Sequence, residues 1–181
     1  STTRCSRAYR SPSGQYFSLR SSSTSTPPAL DRSPPSKHIE EIADAIGYEG
    51  SFHISLSPDG YPAFSGGGCM SARDLARFGL LFSRDGLDIQ GLEFANSSFI
   101  SESLSRSAPS LSQPKEWLRY SNHLMTDGRV VGHAGYGGQF LLVDTVTNTS
   151  FAFLSVLENE DGYDEAYMGE VASTLRDICA Q

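Results

Sequence analysis

Apolar and polar positions along the chain change rhythm several times, and each change predicts an element. Ile39, Ile42, Ala43 and Ile46 recur at helical spacing, with Gly47 as a stop. Phe52 to Leu56 alternates like a half-buried strand, and Ser57-Pro58-Asp59-Gly60 reads as a turn. Ala72, Leu75, Phe78 and Phe82 mark one face of a second helix, with Arg73 and Arg77 off that face. Ser71 and Asp74 are spaced as a capping box at its start. Gly86 and Gly91 punctuate a loop, and a short helix runs through Phe99 and Ile100 to Leu104. Trp117 to Met125 is a mixed segment with strand character. Asp127-Gly128 is a turn into Arg129-Val130-Val131. Gln139–Thr145 and Ser150–Leu157 form two successive antiparallel strands joined through Val146–Thr149. After the polar loop Glu158–Gly162, residues 164–179 predict a last helix with Tyr167, Val171, Leu175 and Ile178 as its buried stripe. No internal repeat is visible.

Composition narrows this picture. The chain has 181 residues, 38% of them hydrophobic, and a net charge of −7. These values predict a soluble globular protein, with the cytoplasm favoured, and argue against a nucleic-acid binder. No apolar run approaches the roughly 18 residues of a membrane span. Cys5, Cys69 and Cys179 lie far apart without a Cys-x-x-Cys pair, which predicts reduced thiols or buried small hydrophobes, not a disulfide frame or a zinc site. The charge is uneven: residues 1–36 carry five Arg and one Asp, and the remainder carries a surplus of acid. The early part is also rich in Ser, Thr and Pro, as in Ser21-Ser22-Ser23-Thr24-Ser25-Thr26-Pro27-Pro28, and cannot bury a core. Residues 1–37 are therefore expected to be a low-complexity, disordered or degenerate segment, and residues 38–181 the folded domain. A transit peptide has a similar composition, but neither an initiator Met nor an amphipathic helix accompanies it.

Candidate chemistry concentrates in Gly132-His133-Ala134-Gly135-Tyr136-Gly137-Gly138-Gln139, where four glycines in seven residues lead into an apolar strand. Glycine lets a backbone approach another surface closely, and a His at the mouth of a strand is placed to meet a ligand. A glycine-rich turn with an exposed His fits the same letters. Gly66–Gly68 precedes a helix, but without a following Lys it predicts a structural turn. No Gly-x-Ser-x-Gly elbow or phosphate loop is present. Asp59, Asp85, Asp88 and the run Glu158-Asn159-Glu160-Asp161 lack the spacing of a calcium loop, and His38, His53 and His123 are scattered. No metal and no cofactor is expected.

The order of these features carries a resemblance. Gly-Gly-Gly before Ser71-Ala72-Arg73-Asp74-Leu75-Ala76-Arg77-Phe78-Gly79, a Trp/Tyr-bearing segment, His133-Ala134-Gly135-Tyr136-Gly137-Gly138-Gln139, two strands and a terminal helix resemble the C-terminal part of the serine β-lactamase-related hydrolases. That superfamily includes class C β-lactamases, penicillin-binding DD-peptidases, esterases and 6-aminohexanoate-dimer hydrolases. The amide-hydrolase and esterase branches, which often carry His-x-Gly in place of Lys-Thr-Gly, are the closer match. The resemblance spans roughly residues 45–181. It implies an α/β (α+β) fold of the β-lactamase/transpeptidase type, an antiparallel sheet flanked by helices, here truncated at the N-terminal side with an exposed sheet edge.

The resemblance also implies a chemistry. In the family, the Ser of Ser-x-x-Lys attacks an acyl carbon, while the Lys and a Tyr from a Tyr-x-Asn-like motif shuttle the proton. A third motif on an edge strand beside the nucleophile supplies an oxyanion N–H. His133-Ala134-Gly135 matches that third motif. Tyr136 would offer the backbone N–H, His133 would sit beside the acyl pocket, and Ala134, Gly135, Gly137 and Gly138 would let a substrate lie against the strand. A structural hydrogen bond is the other reading of His133. Tyr9-Arg10-Ser11 carries the letters of the amide-hydrolase Tyr motif. Ser-x-x-Lys has one match, Ser112-Gln113-Pro114-Lys115, which lies after the Gly-Gly-Gly helix instead of before it. The implied partner is a small-molecule amide or ester, with no nucleic acid and no membrane. The chain is expected to be a serine-hydrolase fragment, inactive alone. The alternative is a non-catalytic pseudoenzyme or interaction module that keeps the half-fold.

Overall fold

The computed structural model describes residues 16–19, 35–63, 66–105, 108–135, 137–155 and 164–179. The chain divides into two compact units, Ser1–Asp74 and Leu75–Gln181.

In the first unit, β1 (Tyr16–Leu19), β2 (Phe52–Ser55) and β3 (Gly68–Cys69) form an antiparallel sheet in the order β1-β2-β3. β1 pairs with β2 from Tyr16 opposite Ser55 to Leu19 opposite Phe52. This strand falls within the Ser- and Pro-rich stretch, where the hydrophobic pattern predicts no element. α1 (Pro35–Ile46) begins on a proline, whose fixed φ suits a first helical turn. It buries Ile39, Ala45 and Ile46, and Gly47 ends it at φ 64°. Gly66–Gly68 is the structural turn expected of it. Gly67 N–H donates to the Ala63 carbonyl at 2.8 Å, and a Cβ on Gly67 would lie 2.8 Å from that of Ala63. Cys69 is disulfide-bonded, against the expectation of reduced thiols.

α2 (Ala72–Ser83) starts on the predicted capping box, in a modified form. Ser71 Oγ accepts from Asp74 N–H at 3.1 Å and donates to Asp74 Oδ2 at 2.6 Å. The other carboxylate oxygen of the buried Asp74 takes the Glu49 N–H at 3.1 Å. The carboxylate thus satisfies a loop amide instead of reaching back to the cap residue's own N–H. The nearby Tyr48 hydroxyl has its pKa raised by burial and, second, by the Asp74 charge.

The second unit is a five-stranded antiparallel meander in chain order: β4 (Arg119–Ser121), β5 (Leu124–Thr126), β6 (Val130–Ala134), β7 (Phe140–Asp144) and β8 (Thr149–Phe153). Successive side chains on a strand face opposite ways. Val130, Phe140 and Leu142 pack with Met168, Ala172, Leu175 and Cys179 of α4 (Glu165–Cys179). Val131, Leu141 and Val143 pack with Leu75, Phe78 and Phe82 of α2 and Leu104 of α3 (Ser97–Ser105). Helices therefore cover both faces, which is why every residue of β7 is buried and its sequence is a continuous apolar run ending in Asp144. Gly79 seats α2 on the sheet. A Cβ there would overlap Ser150 Oγ and lie 2.8 Å from Val143 and 2.9 Å from Leu141 side-chain atoms.

Two expectations are corrected in this unit. The segment from Trp117 to Met125 is two strands, not one, because Asn122 and His123 both take positive φ (50° and 62°) and turn the chain back. The buried α4 stripe is Met168, Ala172, Leu175 and Cys179, one residue further on than predicted at every position but Leu175; Tyr167 and Val171 are half-buried, and Ile178 is 42% exposed. A helix advances about 100° per residue, so this is a modest rotation of the buried face. The Glu158–Gly162 loop lies outside the described residues.

The Cys179 thiol is pushed up to about 11, first by burial and then by the Asp144 charge, with Arg129 opposing. A thiol held neutral is a poor nucleophile. Iodoacetamide in mildly alkaline buffer is therefore expected to leave Cys179 unmodified in the folded protein and to alkylate it in urea. Peptide mass analysis showing equal labelling in both states would overturn this.

Candidate functional site

The connection from β6 to β7 carries the predicted motif. The two strands pair from Val130 opposite Asp144 to Ala134 opposite Phe140, so the segment between them is short and tightly anchored. Val130, Val131 and Gly132 are buried, whereas His133 is exposed: the strand emerges from its helical cover at the imidazole. Gly135 N–H donates to the Gln139 carbonyl at 2.7 Å, and Gly138 N–H to the Gly135 carbonyl at 3.2 Å. Gly138 is buried with φ 87°, a conformation that favours glycine.

A polar clamp holds this loop. Gln139 Oε1 accepts from Gly137 N–H at 3.2 Å, while Gln139 Nε2 donates to the Ser155 carbonyl at 2.8 Å. Ser155 Oγ donates in turn to the Gly138 carbonyl at 2.7 Å. The space beside Gly135 and Gly137 is filled by the Gln139 side chain, which a Cβ would meet at 2.6 Å and 2.8 Å respectively. The glycine pattern thus has an internal occupant, the Gln139 side chain.

His133, Ala134, Gly135, Gly137 and Gly138 are brought together on this one strand end. Tyr136 and Tyr9 lie outside the described residues. Pattern reading missed a neighbour of His133. The Tyr120 hydroxyl, on β4, lies 3.1 Å from His133 Nε2, and the two rings meet edge to face at 6.0 Å. The His123 ring stands 6.4 Å from Tyr120, also edge to face. The letters Tyr120-Ser121-Asn122 were a signal for this position. Asn122, however, donates from Nδ2 to Ser103 Oγ at 3.0 Å, and Ser121 is buried, so only the Tyr is joined to the histidine.

The Ser112–Lys115 match is no nucleophile motif. Ser112 is exposed in a turn closed by Lys115 N–H to the Ser112 carbonyl at 2.9 Å, not at the start of a buried helix. The buried Lys115 ammonium is paired with Glu165 at 2.7 Å. Among the described residues no group of three His, Cys, Asp or Glu could hold a metal ion, and no helix is long and apolar enough to cross a membrane.

A family model described as "Beta-lactamase" matches residues 22–173 of the chain. Among solved structures, the chain is similar to the "Putative 6-aminohexanoate-dimer hydrolase from Bacillus anthracis", with a TM-score of 0.61 and 22% identity, over 77% of this chain and 36% of that one. The likeness at that identity is one of fold, and the chain spans about a third of that relative's length. No curated protein matches the sequence.

Proposed function

The chain belongs to the beta-lactamase family, and from that premise we propose that it supplies the third-motif wall of a serine hydrolase's acyl pocket. The substrate class is a small amide or ester, with a linear amide such as a 6-aminohexanoate dimer as the leading candidate. His133 and Ala134 form the strand edge of the wall, and Gly135, Gly137 and Gly138 its floor. The Tyr136 backbone N–H is assigned to the developing oxyanion, where a preorganised donor stabilises charge most. The observation that supports this reading is the strand-to-loop geometry: an exposed His at the point where β6 leaves its cover, followed by a loop braced by Gln139. Tyr9 is carried as the proton-shuttling Tyr on the strength of its motif letters alone.

Ser-x-x-Lys has no serviceable match in this sequence, since Lys115 is bound to Glu165 and Ser112 is in a turn. The chain is therefore proposed to bind but not to become acylated. Intact-mass measurement after incubation with a fluorophosphonate or a β-lactam is expected to show no adduct. Titration with the linear 6-aminohexanoate dimer, followed by amide resonances, is expected to move His133, Gly135, Gly137 and Gly138. A stoichiometric adduct would overturn the inactive reading, and shifts confined to other residues would overturn the pocket assignment.

A further inference from the structure

His133 is an exposed imidazole whose hydrogen-bond partner among the described residues is the Tyr120 hydroxyl, at 3.1 Å from Nε2. We propose that Tyr120 is a positioning residue that fixes the tautomer of His133: the phenol O–H donates to Nε2, so the neutral ring carries its proton on Nδ1. The inference rests on the acyl-pocket reading of His133 and adds a direction to it. A neutral imidazole has one donor and one acceptor nitrogen. With the acceptor engaged by Tyr120, the nitrogen left for a ligand is the N–H donor. His133 then meets a substrate as a hydrogen-bond donor to its carbonyl or carboxylate, not as a general base.

Three features of the fold carry this. Tyr120 pairs with Met125 and Met125 with Gly132, so the Tyr120 row meets β6 one residue before His133, and the Tyr120 hydroxyl reaches the imidazole at 3.1 Å. The positive φ values at Asn122 and His123 close the hairpin tightly, and the His123 ring of that turn stands edge to face with Tyr120 at 6.4 Å. The edge-to-face arrangement with His133 at 6.0 Å holds both rings in one geometry. A phenol is both donor and acceptor, so the tautomer is the quantity to measure.

The experiment is 15N imidazole spectroscopy of the full chain in alkaline buffer, where imidazoles are neutral, comparing wild type with Tyr120→Phe. Wild type is expected to show His133 with a protonated Nδ1 and an unprotonated Nε2. Tyr120→Phe keeps the ring and its packing, and is expected to return His133 to a mixture dominated by the Nε2–H form, as in a free imidazole. A His123→Ala variant is expected to leave the His133 tautomer as in wild type. An Nε2–H ring in the wild type, or no change on Tyr120→Phe, would overturn the proposal. A change of equal size in His123→Ala would also overturn it, because loosening of the hairpin and not the hydroxyl would then set the tautomer. The readout needs neither substrate nor nucleophile, so it fails or succeeds independently of the pocket assignment.

Discussion

Replacement of Gly132 by alanine is expected to lower the stability of the chain by about 3 kcal/mol, toward the upper end for adding a methyl group to a packed interior. Gly132 sits in the middle strand of five, paired with Met125 on one side and Leu142 on the other. A Cβ there would overlap the Leu141 carbonyl oxygen and lie 2.9 Å from its carbon and 3.0 Å from Leu142 Cα. All three atoms are backbone, so no rotamer change relieves the collision. Relief requires β6 and β7 to separate, which weakens the ladder that anchors the His133 loop. For a chain of this size the midpoint of thermal unfolding should fall by roughly 6 to 12 °C. Gly66→Ala is the matched control, since nothing lies within 4 Å of its missing Cβ. Equal melting of Gly132→Ala and Gly66→Ala would refute the close approach.

Replacement of Asp144 by alanine is the second large effect, expected at about 3 kcal/mol. Asp144 is 0% exposed. Its Oδ2 accepts from Arg129 Nε at 2.8 Å, and its Oδ1 accepts from the Val146 and Thr147 N–H groups at 2.8 Å and 3.1 Å. Truncation strands two backbone donors in the β7–β8 turn and the guanidinium that bridges back to β6. Burial by itself would raise the carboxyl's pKa. The hydrogen bond from Arg129, the two backbone donors and the Arg129 charge together outweigh it and hold the pKa below the ordinary carboxylate range. A depressed carboxylate stabilises the fold fully above its unfolded pKa, about 3.9, and loses that contribution as pH falls through the lower folded value. Denaturant titrations from neutral pH downward should therefore show wild type losing stability below about pH 4, and Asp144→Ala losing less over the same interval. Parallel acid limbs for the two proteins would show that Asp144 has an unshifted carboxyl.

Much of the second unit was legible because its signals are local. β7 announces itself as an apolar run that only a doubly covered strand needs, and Asp127-Gly128 is a turn with a glycine where φ reaches 101°. The α4 stripe was nearly right, and its error is instructive. Cys179 and Ile178 are both plausible core residues, and only the direction in which the helix meets Phe140 and Leu142 decides between them. The β4–β5 hairpin was not legible because Asn122-His123 replaces the glycine that usually marks two consecutive positive φ values. Without that turn the strand pairing is unknown, and without the pairing Tyr120 and His133 are simply thirteen residues apart. β1 was hidden for a different reason: it lies in a Ser- and Pro-rich stretch whose composition speaks against any element, and its strand character comes from its partner β2.

The Gln139 clamp has a consequence for how this loop can change through descent. One amide side chain occupies the volume that side chains at positions 135 and 137 would require, and it also ties Gly137 to Ser155. A side chain at either position would displace the end of the Gln139 side chain, which is free to swing, so the cost falls on the tie between Gly137 and Ser155 and not on a backbone collision. Substitution at 135 or 137 and loss of the glutamine therefore release the same brace and should be less than additive.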